Sequence, residues 1–275
     1  MVTQKRQRQR DSRQRLAAQQ QARKRKEQRK KLAVVIFTSV LLVLGVSVFV
    51  VQGNGGGQKV ASTNTTTIPA RKSVTLTSVP PGASINGDTT CPKADGSSQR
   101  TTTFTKPPPM CISPSRTYAA EITTSKGKIT IALDPKAAPN TVNNFVVLAR
   151  YHFYDGIPFH RIIPGFVVQV GDPQATGSGG PGYRFDDELP KAGAYKVGSV
   201  AMANSGPNTN GSQFFIVTGD AGVNLSPNYS LFGTVSEGMD VVKAIEAVGT
   251  PSTPTDPGGE PTEVVTISSV TIKET

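Results

Sequence analysis

Hydrophobic and polar positions alternate along "YAAEITTSKGKITIALD", residues 118–134, with one break at Ser125-Lys126-Gly127. Successive side chains of a strand face opposite sides, so this pattern predicts a β-hairpin. The period then changes. In "APNTVNNFVVLARY", Val142, Phe145, Val146 and Ala149 fall at helical spacing, with Asn140 or Thr141 as the expected N-cap. Strand patterns return over Pro158–Gly171, Gly198–Ala203, Ser212–Thr218 and Leu231–Val235. A second amphipathic helix, "GMDVVKAIEAVG", is closed by Gly249, and "TEVVTISSVTIKE" reads as a final strand. Six to eight strands with two helices predict a mainly β domain over residues 118–275: a closed eight-stranded antiparallel barrel capped by the two helices.

The first 117 residues have a different texture. Residues 32–51, "LAVVIFTSVLLVLGVSVFVV", are uncharged and apolar on every face. As a helix they would span roughly 30 Å, the thickness of a bilayer core. Residues 1–31 before them hold thirteen Lys or Arg against Asp11 and Glu27. That tail accounts for the whole net charge of +11, and the remaining residues are formally neutral. A basic tail without aromatics for base stacking suits orientation at anionic lipid better than nucleic-acid binding. No clear small-residue cleavage site follows the apolar run, so it reads as an uncleaved signal anchor, single-pass at the cell membrane. The positive-inside rule puts the N-terminus in the cytoplasm and everything after Val51 on the extracytoplasmic side. Residues 52–73, rich in Gly, Ser, Thr and Asn, read as a flexible stalk. Residues 74–117 are turn-rich and too poor in apolar residues to build their own core. They contain the chain's only cysteines, Cys91 and Cys111. An even pair on the oxidising side favours a disulfide over a reactive thiol or a zinc site lacking nearby histidine. Closing a loop of that size is worth roughly 3 kcal/mol by chain entropy. The segment is expected to be stapled to itself and laid against the next domain.

Several kinds of chemistry leave no mark on the chain. There is no nucleophile elbow, no paired-histidine metal motif and no phosphate loop. His152 and His160 are too few for a histidine-based metal centre, and His152 reads as structural. The glycine-rich "GSGGPGYRFDDE" is expected to be a surface loop, with Asp186, Asp187 and Glu188 solvated. What stands out is polar groups embedded in apolar strands: Arg161, Gln169, Asn204 and Gln213. Counting from Phe159, the odd positions Arg161, Ile163, Val167 and Gln169 share one face across the Pro164-Gly165 break. A shallow apolar groove with a few fixed hydrogen-bonding groups suits an extended peptide better than a phosphate or a metal ion.

The stretches "FHRIIPGFVVQVGDP", "ATGSGGPGYRFDDE", "GSVAMANSGPNTNGSQFFI" and "LFGTV" resemble, in order and spacing, the cyclophilin family of peptidyl-prolyl isomerases. The resemblance covers about residues 118–273, and the N-terminal anchor resembles membrane-bound bacterial members. It implies rotation about X-Pro bonds in polypeptides with no cofactor and no metal. Arg161 would be the hydrogen-bond donor to the prolyl nitrogen, with Phe166 and Gln169 beside it. Phe166, Val167, Phe215 and Leu225 would hold the proline ring. Gln169, Ala203 and Asn204 would hold the flanking peptide, with Phe159, His160 and Tyr229 also lining the substrate-binding groove. Gln213 would organise Arg161. Val167 and Val170 stand where many members have Met and Gly, and Tyr229 where many have His. Many also carry Trp where this chain has Asn224, which bears against cyclosporin-type macrocycles more than against catalysis. A proline-peptide binding module without turnover, on the same scaffold, is the alternative function.

Overall fold

The computed structural model describes residues 74–253 and 256–275, so the predicted tail, span and stalk lie outside the described residues. Among the described residues no helix is long and apolar enough to cross a membrane. The predicted hairpin is present as β3 (Tyr118–Thr124) and β4 (Gly127–Leu133), paired in register from Tyr118–Leu133 to Thr124–Gly127. The other strands are β5 (Arg161–Ile163), β6 (Val167–Val170), β7 (Ser199–Met202), β8 (Phe214–Val217), β9 (Leu231–Glu237) and β10 (Ile267–Glu274). They form one curled antiparallel sheet in the order β10-β3-β4-β9-β7-β8-β6-β5.

The barrel is not closed by a ladder, as the sequence pattern had suggested. Its edges, β5 and β10, meet through irregular backbone just before each strand. Gly156 N–H donates to Ile267 O at 2.7 Å, Ile267 N–H to Ile157 O at 2.9 Å, and Phe159 N–H to Val265 O at 2.9 Å. The free edge of β5 is met by a loop, with Ile162 N–H donating to Gly259 O at 2.7 Å.

Helix α1 (Pro139–Arg150) buries Val142, Phe145, Val146 and Ala149 in the half-barrel, as its spacing predicts. Its start differs from expectation. The N-cap is Ala138, because Pro139, which has no N–H to satisfy, takes the first helical turn. The backbone N–H groups of Asn140 and Thr141 donate instead to the Glu188 carboxylate, at 3.0 and 2.8 Å. Glu188 therefore caps α1 from a distant loop rather than standing in solvent. A short helix, α2 (Asp220–Val223), follows β8, and α3 (Met239–Glu246) follows β9. The core is aromatic: Phe145 packs on Tyr154, Phe214 and Phe232 at ring distances of 5.2, 5.4 and 5.3 Å.

Residues 74–117 lie on this domain. Two short strands, β1 (Ala83–Ile85) and β2 (Thr101–Phe104), pair in parallel, and Cys91 is joined to Cys111. Phe104 enters the main core at 1% exposure.

Candidate active site

The register of the sheet sets up the site. Arg161 on β5 pairs with Gln169 on β6, Gln169 with Phe215 on β8, and Phe215 with Ala201 on β7. These four side chains form one row across the outer face of the sheet. The alternate positions Ile162, Val168, Ile216 and Val200 point inward and are fully or almost fully buried. Phe215 and Ala201 of that row belong to a second apolar cluster, with Val167, Tyr195 and Val217, separate from the main core.

Arg161, Phe166, Val167, Gln169, Ala203, Asn204, Phe215, Leu225 and Tyr229 line one pocket of about 150 Å³ on this face. All nine were expected from the sequence. Three expected residues lie elsewhere. Phe159 is 1% exposed and sits in the main core. Alternation does not carry back to it, because β5 begins at Arg161 and Phe159 belongs to the irregular edge held by Val265. His160 is half-buried near Gln213, and neither ring nitrogen makes a hydrogen bond of ordinary geometry. Burial pushes its pKa down, with the Arg161 charge adding to the effect and Asp172 opposing it. Gln213 stands behind Gln169.

Arg161 is half-buried, with its head held from two sides and its stem packed close to a third group. It donates to Gln169 Oε1 at 3.3 Å. Its guanidinium lies 5.4 Å from the centre of the Phe166 ring, a cation–π distance. From below comes Gly259, at φ +89°, where a Cβ would stand 3.0 Å from Arg161 Cγ. Burial lowers the Arg161 pKa. A guanidinium starts so high that it stays charged at any relevant pH.

A relay of amides continues behind it. Gln169 Nε2 donates to Gln213 Oε1 at 3.0 Å, and Gln213 Nε2 donates to the carbonyls of Gly177 and Gly179 at 3.0 and 2.9 Å. Those carbonyls sit on a loop wound around the fully buried Asp172. Its carboxylate accepts the N–H groups of Gln174, Thr176, Gly177 and Gly179 at 2.7, 3.0, 2.6 and 3.1 Å. Burial works to raise the Asp172 pKa, and these donors outweigh it and hold the carboxyl below its ordinary range. Sequence reasoning missed Asp172, because its role is to hold backbone rather than to face the groove. The glycine-rich stretch is thus an organised loop.

On the other wall Phe215 meets Tyr229 edge-on at 5.4 Å. The buried Tyr195, also missed, donates its hydroxyl to Tyr229 O at 2.7 Å and so places that ring. Asn204 uses its amide on Asn228 O and Gly206 N–H, and Ala203 N–H donates to Gln213 O. Asn224 is exposed, turns its amide back onto Asp220 O, and is not among the residues lining this pocket. Among the described residues no cluster of three or more His, Cys, Asp or Glu is placed to hold a metal ion.

Residues 119–272 match the family model described as cyclophilin type peptidyl-prolyl cis-trans isomerase/CLD. The chain belongs to the cyclophilin-type peptidyl-prolyl cis-trans isomerases. Peptidyl-prolyl cis-trans isomerase A of Mycobacterium tuberculosis is 45% identical over 178 residues, 58% of this chain and 94% of that protein. Peptidyl-prolyl cis-trans isomerase B of Streptomyces anulatus is 43% identical over 173 residues, 56% of this chain and 95% of the relative. A crystal structure of a Cryptosporidium parvum cyclophilin-type isomerase superposes with a TM-score of 0.51 at 32% identity, covering 57% of this chain and 98% of that one. A second crystal structure of that isomerase, in the presence of the dipeptide Ala-Pro, gives a TM-score of 0.50. The cyclophilin domain thus accounts for the sheet and groove, while β1, β2 and the disulfide precede the matched residues.

Proposed function

We propose that Arg161 catalyses proline isomerisation by donating a hydrogen bond to the prolyl nitrogen in the twisted transition state. The X-Pro bond resists rotation, with a barrier of roughly 20 kcal/mol, because the nitrogen lone pair is delocalised into the carbonyl. At 90° of twist that lone pair localises and becomes an acceptor. A donor already aimed at it binds the transition state better than the planar ground state, which is the condition for rate enhancement. The observation that carries this reading is the guanidinium itself: charged, half-buried, and held beside an apolar pocket by Gln169 and Phe166, with Gly259 close against its stem. Phe166, Val167, Phe215 and Leu225 receive the proline ring, and Gln169, Ala203 and Asn204 receive the flanking peptide. The dipeptide Ala-Pro named with the related crystal structure supports a proline-containing peptide as ligand.

The substrates are prolines of exported or surface polypeptides. Residues 32–51 anchor the chain in the membrane, the basic tail stays in the cytoplasm, and the isomerase faces outward. The support is the uncharged run of 20 residues after a tail carrying the whole net charge.

The decisive test is Arg161→Ala in a prolyl isomerisation assay with peptide binding measured in parallel. Removing one preorganised donor lowers kcat/KM by about 10²–10³-fold, with binding weakened far less. Unchanged turnover overturns the mechanism. Protease accessibility on intact cells tests the topology, and a protected isomerase domain with an accessible tail would invert it.

A further inference from the structure

We propose that the disulfide-stapled segment, residues 74–117, is a working part of the isomerase site, with Val79 and Phe104 as positioning residues. The loop around Asp172 is the link. It contains Gly177, Gly179, Gly180 and Gly182. Such a loop samples many conformations unless something pins it. Both of its ends are pinned by the segment before the cyclophilin domain. Val79 N–H donates to Pro173 O at 2.9 Å, and Phe104 N–H donates to Pro181 O at 2.8 Å. At the second point the loop lies flush on β2. Gly182 has φ +106°, and a Cβ there would stand 2.3 Å from Phe104 O. The Phe104 ring locks the contact from below, edge-on to Tyr151 at 5.5 Å and Tyr183 at 6.2 Å.

Between these two clamps lie the carbonyls of Gly177 and Gly179, the acceptors of the Gln213 amide. A shift of either carbonyl frees Gln213, then Gln169, and then the Oε1 that orients Arg161. The clamps act through the relay without touching a substrate.

The disulfide holds the clamps in place. Thr90, beside Cys91, accepts the Tyr151 hydroxyl on its carbonyl at 2.9 Å. Cys111 N–H donates to Asn143 Oδ1 at 2.7 Å, and Asn143 Nδ2 donates back to Pro109 O at 2.8 Å. The cross-link thus joins two docking points on either side of Phe104. Opening it lets the span that carries β2 leave the loop.

The proposal rests on Arg161 being the donor, and the test separates the two. In the full chain, Cys91→Ser/Cys111→Ser is compared with the oxidised protein by amide hydrogen exchange and steady-state kinetics. Exchange rises in residues 172–183, and kcat falls about two- to thirty-fold with KM moving less. In a Gln213→Ala background the same double variant has no further effect on kcat, since the relay is already cut. Equal losses in both backgrounds overturn the proposal. So does an opened segment, with exchange raised over residues 83–104, that leaves residues 172–183 protected and kcat intact. Val79→Pro removes one clamp directly, and unchanged protection of residues 172–183 in that variant overturns the proposal as well. If Arg161→Ala retains activity the catalytic reading fails alone, because protection of the loop still reports the clamp.

Discussion

Phe214 and Phe215 are neighbours on β8 and do opposite work. Phe214 points inward, 0% exposed, against Phe145, Tyr154 and Phe232. Phe215 points outward, 4% exposed, against Tyr229 in the groove. All four residues of β7 and of β8 are buried. The inner face is covered by the core and the outer by a second cluster, so the strands read as continuous apolar runs rather than alternating ones. On the neighbouring strands β5 and β6 the outer face carries polar side chains where it borders the pocket. Arg161 and Gln169 are such residues.

This contrast can be broken by experiment. Phe214→Ala removes a large ring from the main core and lowers stability by about 3–5 kcal/mol. The folded fraction keeps its kcat/KM. Phe215→Ala opens a cavity at the surface that can fill, so stability falls by only about 1–3 kcal/mol while kcat/KM falls at least tenfold. Denaturant unfolding and isomerase assays on both variants check this. Equal stability losses with activity spared in both would erase the distinction between the faces.

A smaller effect sharpens it. Gln213→Leu removes a residue that never lines the 150 Å³ pocket. It strips Gln169 of an acceptor and the loop of a donor. Net hydrogen-bond energies of about 0.5–1.5 kcal/mol translate to a two- to tenfold loss. The loss belongs in kcat, and a change confined to KM would show that Gln213 contacts the peptide instead.

The smallest effect concerns pH. Arg161 keeps its charge, so kcat/KM is flat between about pH 6 and 9. Stability is not flat at lower pH. The folded pKa of His160 lies below its unfolded value, so the unfolded chain binds the proton first. Its contribution is complete above about pH 6.5 and declines as pH falls through that value. The folded pKa of Asp172 is also lowered, so its contribution is present above about pH 4 and lost below. Both trends destabilise in acid. A melting temperature that rises from pH 7 to 5 would contradict them, and His160→Phe removes the upper part of the slope.

The groove was legible because a hairpin preserves parity. Once the Pro164-Gly165 turn is seen, Arg161 must meet Gln169, and the apolar runs place the rest. Parity fails where the ladder fails, which is why Phe159, two residues before β5 reaches its pairing with β6, lies in the main core and not on the groove face. The supporting groups left no local signal. Glu188 caps α1 across 47 positions of sequence, and Asp172, Val79 and Phe104 act on backbone amides and carbonyls that every residue carries. Periodicity reports which side of a strand a residue faces, and it is silent on which distant backbone a carboxylate will find. The N-cap was missed for a simpler reason: Pro139 is the better first residue of a helix, and it moves the start back by two or three positions.

The staple also decides where a mechanical load would travel. A pull on the chain from its N-terminal side passes along the backbone to Cys91, crosses the sulfur–sulfur bond, and continues from Cys111 into the domain. Residues 92–110 lie in a covalent side loop and carry no tension. Phe104 and its grip on Pro181 are inside that loop, while Val79 is upstream and in the line of force. Tension would therefore peel the first clamp and leave the second seated, and reduction of the disulfide would put both in series.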